Sequence, residues 1–277
     1  FQEESEESDE EPEEEEYVDS DEEPSSLSSR AGFAATATAT SVVIGTGGSM
    51  FEFELSCEGE PFYRGNMVFG DFSTAVLANQ VGLDGGKRLK PWYQLNNLSD
   101  LTLQEINLQD SLTHQTFYSV NPEKPHYRLS QNYLDFIEKV FLIEDGGKYQ
   151  KGYIYASQSI TPEDWYFPFH FYQDSVMPGA LGVESILQAM QTYALQLDLG
   201  KSFKNPRFGQ AINHQITWKY RGQITPENRL MSLEVHISDI RVEDDVITII
   251  GDASLWKEDL RIYEIKDIAL CLLDSEE

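Results

Sequence analysis

Paired cysteines are missing from this chain. The two present, Cys57 and Cys271, stand far apart and neither belongs to a CxxC, which argues against a disulfide framework and a zinc site. No run of eighteen apolar residues occurs, so no membrane span is expected. The N-terminus lacks a basic-then-apolar leader, and the chain reads as cytoplasmic. Basic residues are scarce too: 20 Lys and Arg against 48 Asp and Glu give a formal net charge of −28. Phosphate backbones need a concentrated Lys/Arg surface, so nucleic acid is disfavoured as the main partner. Fifteen of the acidic residues lie in the first 23 positions, where no Lys or Arg occurs, which leaves an ordinary −13 for residues 24–277.

What is present is a core: 40% of the 277 residues are hydrophobic and 12% aromatic, enough for one large domain or two small ones. Residues 1–40 form an acidic and then small-residue stretch with little to bury, expected to stay disordered. Phe1 is not a start methionine, so a piece of a longer polypeptide is expected. From Ser49 to Phe72 apolar and polar residues alternate around a turn at Glu58-Gly59-Glu60-Pro61, the pattern of a β-hairpin. Leu55, Glu58 and Phe62-Tyr63 recur at a constant offset of 200 as Leu255, Glu258 and Ile262-Tyr263. Residues 41–88, with a short helix over 73–83 stopped by Asp84-Gly85-Gly86, are therefore read as the end of an earlier, truncated copy of the same unit; a chance likeness of two hairpins is the alternative. Residues 89–125 read as a connecting segment and residues 126–277 as the main domain.

In that domain 133–143 and 149–157 read as strands joined at Asp145-Gly146-Gly147, with Tyr153 and Tyr155 on one face and Ile154 and Ala156 on the other. Thr161 and Pro162 signal a helical turn. Apolar residues at 183, 186, 187, 190, 193, 194 and 197 have helical spacing over so wide a face that an enclosed helix is expected. Gly200 stops it, and strands follow at 210–220, 229–240, 246–256 and 261–273. One helix wrapped by an antiparallel sheet is an α+β architecture. Just before the helix His170 is followed by Met177-Pro178-Gly179, and Glu184 lies inside its start. This histidine, turn and carboxylate suit an acid–base pair, although each alone has a plainer reading, a hydrogen-bonded core histidine or a first-turn glutamate favoured by the helix dipole. His114, His126, His214 and His236 match no catalytic pattern.

Trp165-Tyr166-Phe167-Pro168-Phe169-His170-Phe171, then Asp174 to Gly179, Leu181-Gly182-Val183-Glu184 and Gln188 resemble the active-site segment of the β-hydroxydecanoyl-ACP dehydratase family. The likeness runs from Lys151-Gly152-Tyr153 and Ile160-Thr161-Pro162 through Gly222-Gln223-Ile224 to Arg261-Ile262-Tyr263, and covers residues 126–273. With an earlier copy ahead of it, the chain is most similar to the tandem dehydratase domains of polyunsaturated fatty acid synthases. The resemblance implies a hotdog fold, a long helix wrapped by an antiparallel sheet and working as a dimer or pseudo-dimer. Two positions depart from the decanoyl type, Glu184 for Asp and Ala180 for Cys. The first keeps the acid, and together they leave double-bond isomerisation open.

Removing water from a 3-hydroxyacyl thioester needs a base for the α-proton, an acid for the departing hydroxyl and a polarised carbonyl. His170 suits the base, and Glu184, facing an apolar channel, suits the acid. Gln188, one turn on, can bind the hydroxyl or hold Glu184, and the Gly179 N–H can receive the thioester oxygen. No metal, nucleotide or redox cofactor is required, the substrate being tethered to the phosphopantetheine of acyl carrier protein. The resemblance further implies that the histidine and carboxylate of one site come from two hotdog units, so the partners are a second unit, other synthase domains and the acidic carrier protein. Lys201, Lys204, Arg207, Lys219 and Arg221 are candidates for its docking patch, or else simply solvated charge. A catalytically silent hotdog completing an active neighbour is the alternative function, and a hotdog thioesterase a third, disfavoured by the Met-Pro-Gly turn.

Overall fold

In a computed structural model, residues 33–40, 48–70, 73, 75, 76 and 79–275 are described. The acidic stretch 1–30 and residues 74, 77 and 78 lie outside them; of the short helix expected over 73–83, residues 79–83 are turn and coil, not helix. The chain divides into two compact units, residues 1–72 and 73–277.

The first unit is a three-stranded antiparallel meander, β1 (Phe33–Thr40), β2 (Gly48–Cys57) and β3 (Glu60–Gly70). The β2–β3 hairpin turns at Glu58 and Gly59, both at positive φ. Strand β1 corrects the expectation of disorder through residue 40. Its Ala-Thr alternation pairs with β2 along its whole length, from Phe33 opposite Cys57 to Thr40 opposite Met50, and β-branched threonine suits a pleated strand.

The second unit holds one sheet in the order β4-β5-β6-β9-β10-β11-β7, with β8 also paired to β11. Its strands are β4 (Gln104–Asn107), β5 (Lys139–Ile143), β6 (Tyr153–Ser159), β7 (Pro206–Gln210), β8 (Thr217–Tyr220), β9 (Leu230–Val242), β10 (Val246–Lys257) and β11 (Leu260–Asp274). Its helices are α1 (Trp92–Leu95), α2 (Ser111–Tyr118) and α3 (Gly179–Gln196). All neighbouring strands run antiparallel, and α3 packs against β5, β6, β9, β10 and β11. This is the hotdog arrangement. Among the described residues, no helix is long and apolar enough to cross a membrane.

Period-two alternation builds the core. Met231, Leu233, Val235 and Ile237 of β9 are buried within the same cluster as Ile186, Ala189, Met190 and Tyr193 of α3. Each fully buried aliphatic side chain contributes about 1.5–3 kcal/mol of transfer free energy. Buried polar groups within α3 are met locally: the Ser185 hydroxyl donates to the Gly182 carbonyl at 2.8 Å and that of Thr192 to Gln188 at 2.9 Å.

Three expectations shift. The strand expected over 210–220 is two strands, because the chain turns away between them with Asn213 at φ 55°; β7 and β8 then meet different stretches of β11, Leu270–Asp274 and Tyr263–Lys266. The helix is not enclosed all round, since Ala180 is exposed and Glu184, Leu187, Gln191 and Leu195, at three- and four-residue spacing, are only half-buried. Residues 79–88 sit in the later unit, not with the preceding one. Asp84 pairs with Arg261 of β11 at 2.5 Å, and the Leu83 N–H donates to the Arg261 carbonyl at 3.0 Å. Residues 89–101 continue onto β6 and β9, where Trp92 and Tyr93 pack on Tyr153 and Tyr155.

The repeat at offset 200 extends to backbone detail. Leu55 faces Tyr63 and Cys57 faces Glu60, as Leu255 faces Tyr263 and Lys257 faces Leu260. Each hairpin is irregular at the same step, Leu55/Ser56 and Leu255/Trp256, and Glu58 and Glu258 have φ 52° and 51°.

Candidate active site

The His170 loop is anchored before it reaches the histidine. Asp164 accepts the Thr161 N–H and hydroxyl at 3.1 and 3.0 Å and the Tyr166 hydroxyl at 2.9 Å, so Thr161 donates here and does not cap a helix. Tyr166 and Phe167 are buried, and the His170 N–H donates to Tyr166 O at 3.1 Å. The loop then closes on itself. The Val176 N–H donates to His170 O at 2.7 Å, and His170 Nδ1 lies 3.0 Å from Val176 O. A carbonyl can only accept, so Nδ1 carries the proton and Nε2 is left as the basic nitrogen. On either side Phe169 and Tyr172 are 80% and 88% exposed.

Met177, buried, donates its N–H to Ile224 O at 2.9 Å, and Pro178 then opens α3 without a side-chain cap. The Gly179 N–H has no acceptor among the described residues, which leaves a first-turn donor with the positive end of the helix dipole behind it. The Gly179 carbonyl accepts the Tyr263 hydroxyl at 3.0 Å. A Cβ on Gly179 would lie 3.0 and 3.1 Å from the rings of Trp218 and Tyr220, so glycine lets these aromatics close over the turn. Gly182 does the same for Tyr263, whose ring would stand 2.5 Å from an added Cβ. Burial pushes the Tyr263 hydroxyl well above its ordinary value, which keeps it a donor.

Glu184 lies one turn further along α3. Burial raises its carboxyl above the ordinary carboxylate range, and no hydrogen bond or ion pair offsets that among the described residues. A carboxyl in that condition tends to hold its proton. No hydrogen bond or ion pair joins it to His170. Gln188 is buried and its amide is engaged elsewhere: Oε1 accepts the Phe136 N–H at 2.7 Å and Nε2 donates to Asp135 Oδ1 at 3.1 Å. The same Asp135 oxygen accepts the Tyr118 hydroxyl at 2.7 Å.

Two clefts flank this network, of about 50 Å³ beside Met177, Ile160 and Met231 and about 130 Å³ beside His114, Tyr118 and Ile137. Both are bordered by Asp135 and Gln158, and the lining of neither includes His170 or Glu184. Among the described residues, no group of three or more His, Cys, Asp and Glu could hold a metal ion.

The five candidate cations separate into two sets. Lys219 pairs with Glu264 at 2.6 Å, and Arg221 donates to Tyr220 O at 2.8 Å, both on or beside β8, whose Trp218 and Tyr220 crowd Gly179. Lys201, Lys204 and Arg207 follow the C-terminal end of α3, whose 18 residues span about 27 Å. Sequence reasoning missed Tyr263, Trp218, Tyr220, Asp135 and Tyr118; the one available signal was Gly182, a glycine inside a helix and so a mark of close packing.

The family described as FabA-like domain matches residues 129–266. A polyunsaturated fatty acid synthase component from Thraustochytrium sp. is 35% identical over 229 residues, which covers 82% of this chain, and the chain spans 15% of that relative's length. Among solved structures, the dehydratase domain from the CurJ module of curacin polyketide synthase aligns at 11% identity over 83% of this chain and 65% of that one, with a TM-score of 0.44. The dehydratase heterocomplex ApeI:P from Xenorhabdus doucetiae aligns at 10% identity over 55% of this chain and 90% of that one, with a TM-score of 0.37. Through residues 129–266 the chain belongs to the FabA-like dehydratase family, and it is similar to a polyunsaturated fatty acid synthase component.

Proposed function

We propose that the domain is a 3-hydroxyacyl-ACP dehydratase, a hydro-lyase that converts a 3-hydroxyacyl thioester to the 2-enoyl thioester in polyunsaturated fatty acid or polyketide-type synthesis. His170 Nε2 takes the α-proton, the C–O bond at C3 breaks as the new C=C forms, and Glu184 gives its proton to the departing hydroxyl, which leaves as water. The Gly179 N–H holds the thioester oxygen, where negative charge builds as the α-proton leaves. The observation that carries this reading is the pairing of an imidazole committed at Nδ1 to Val176, with no bond at Nε2 among the described residues, and a carboxyl on α3 that burial pushes above its ordinary value.

The catalytic pair acts as two half-sites. His170 of one hotdog unit works with Glu184 of another, and for the isolated chain the available partner is a second copy. The half-open stripe of α3 that carries Glu184, the lack of any bond between His170 and Glu184, and clefts that reach neither residue support this. The substrate arrives on the phosphopantetheine of acyl carrier protein, and no other cofactor takes part. Of the candidate patches, Lys219 and Arg221 suit carrier docking better than Lys201, Lys204 and Arg207, because they flank the aromatics over Gly179. A cytoplasmic setting and neighbouring synthase domains belong to the same reading.

The test is hydration of an unsaturated acyl thioester, the reverse reaction, by the chain and by His170→Ala and Glu184→Gln. Loss of about two to four orders of magnitude in each variant is expected. Equal rates in all three would leave a structural hotdog.

A further inference from the structure

The peptide of Gln223 is held from both sides by residues far from it in sequence. Its N–H donates to Gln80 Oε1 at 3.1 Å, and its carbonyl accepts from Lys257 Nζ at 2.6 Å. Lys257 Nζ also donates to the same Gln80 oxygen at 2.6 Å, so one side-chain oxygen and one ammonium close a ring around a single peptide. Gly222 lets the chain come this near, since a Cβ there would meet the Ile262 side chain and stand 3.1 Å from Gln80 Oε1. The next residue, Ile224, is buried, and its carbonyl accepts the Met177 N–H at 2.9 Å. Met177 leads directly into Pro178 and Gly179. A continuous chain of short contacts therefore runs from Gln80 and Lys257, through the 223–224 backbone, to the turn that presents the Gly179 N–H.

Gln80 does not hang free at the other end. Its segment is fastened along β9–β11 by Asp84 on Arg261, by the Trp256 Nε1–H donating to Leu89 O at 2.8 Å, and by the Trp92 N–H donating to Glu234 Oε2 at 2.7 Å. The whole segment precedes the family-matched domain, which starts at residue 129. Lys257 has no acidic partner among the described residues' ion pairs; its ammonium is used on Gln80 and the Gln223 carbonyl alone.

We propose that Gln80 and Lys257 are positioning residues for the Met177–Gly179 turn, so that the active unit begins near residue 79 and not at the start of the family-matched domain. The inference rests on the dehydratase reading for its consequence in turnover, and on hydrogen bonding alone for its mechanical part. A first-turn donor aimed at a developing oxyanion is sensitive to small displacements, and a shift of the order of 1 Å can cost up to about a hundredfold in rate.

The test compares chain 1–277 with Gln80→Leu, which removes the shared acceptor at similar size, and Gln80→Glu, which keeps an acceptor for both donors. Amide exchange at Met177 and thioester hydration are measured on all three. In Gln80→Leu, exchange at Met177 should rise and kcat should fall, each by roughly tenfold, with KM and Tm little changed, while Gln80→Glu stays close to the unmodified chain. Unchanged exchange at Met177 in Gln80→Leu overturns the proposal. So does faster exchange spread over the whole sheet with a lowered Tm, which would mark a general structural role, and so does faster exchange at Met177 with kcat unaltered. If the unmodified chain turns over no thioester, the dehydratase reading fails, and exchange at Met177 by itself decides the clamp.

Discussion

The hydroxyl of Tyr263 donates to the carbonyl of Gly179 at 3.0 Å, so the last strand of the sheet holds the first peptide of the central helix. That carbonyl and the N–H of Ala180 belong to one rigid plane, and fixing one orients the other. Tyr263 is buried, and Gly182, without a Cβ, is what lets its ring lie against the helix.

Tyr263→Phe should therefore cost about 1 kcal/mol in a urea titration, the net worth of one hydrogen bond. It should also lower kcat several-fold with KM nearly constant, because Gly179, loosened at its carbonyl, carries in the preceding peptide the N–H that serves the oxyanion more than the bound substrate. Steady-state hydration kinetics on Tyr263→Phe check the second effect.

The same titration applied to Gln188→Leu should show a larger effect. Gln188 is buried and satisfies the Phe136 N–H, and it donates to Asp135. Removing it strands a buried donor and leaves the carboxylate with less support, a loss of about 1–3 kcal/mol. Gln188→Glu should fare no better, since it sets a second carboxylate against Asp135.

How much of this was legible in the sequence differs by element. The span of α3 and the β10–β11 hairpin follow from periodicity and turn residues, which are local signals. The candidate residues His170, Gly179 and Glu184 could be singled out because they lie within fifteen residues of one another and share a motif. Strand β1 could not be, because its Ala-Thr alternation offers only small side chains and little to bury, and pairing with β2 makes it a strand. The break between β7 and β8 turned on Asn213 taking a left-handed conformation, which asparagine permits but does not announce. The partners of Gln188 and Gln80 lie 52 and 143 residues away, and no window along the chain brings such pairs together.

Glu184 makes stability depend on pH in a defined direction. Its folded-state carboxyl titrates above the unfolded one because burial disfavours the charge. The folded state therefore holds the proton more tightly, and this contribution is full below the ordinary carboxylate range and lost as pH rises through the raised value. Glu184→Gln removes the ionisation. Its Tm should exceed that of the unmodified chain at neutral pH, by on the order of a degree or two, and the difference should shrink as pH falls to the ordinary carboxylate range. Calorimetry across that range checks the sign, and a gap that widens in acid would contradict it.

The half-site account is tested most directly by mixing two inactive variants. If His170 and Glu184 of one site come from different copies, a heterodimer of His170→Ala with Glu184→Gln contains one intact site and one site lacking both groups. Co-refolding equal amounts should restore about a quarter of the unmodified hydration rate, since half of the dimers are mixed and each has one of its two sites intact. Activity that stays at the level of the separate variants, with both folded and dimeric, would contradict the account and place the two residues in one site within a single chain.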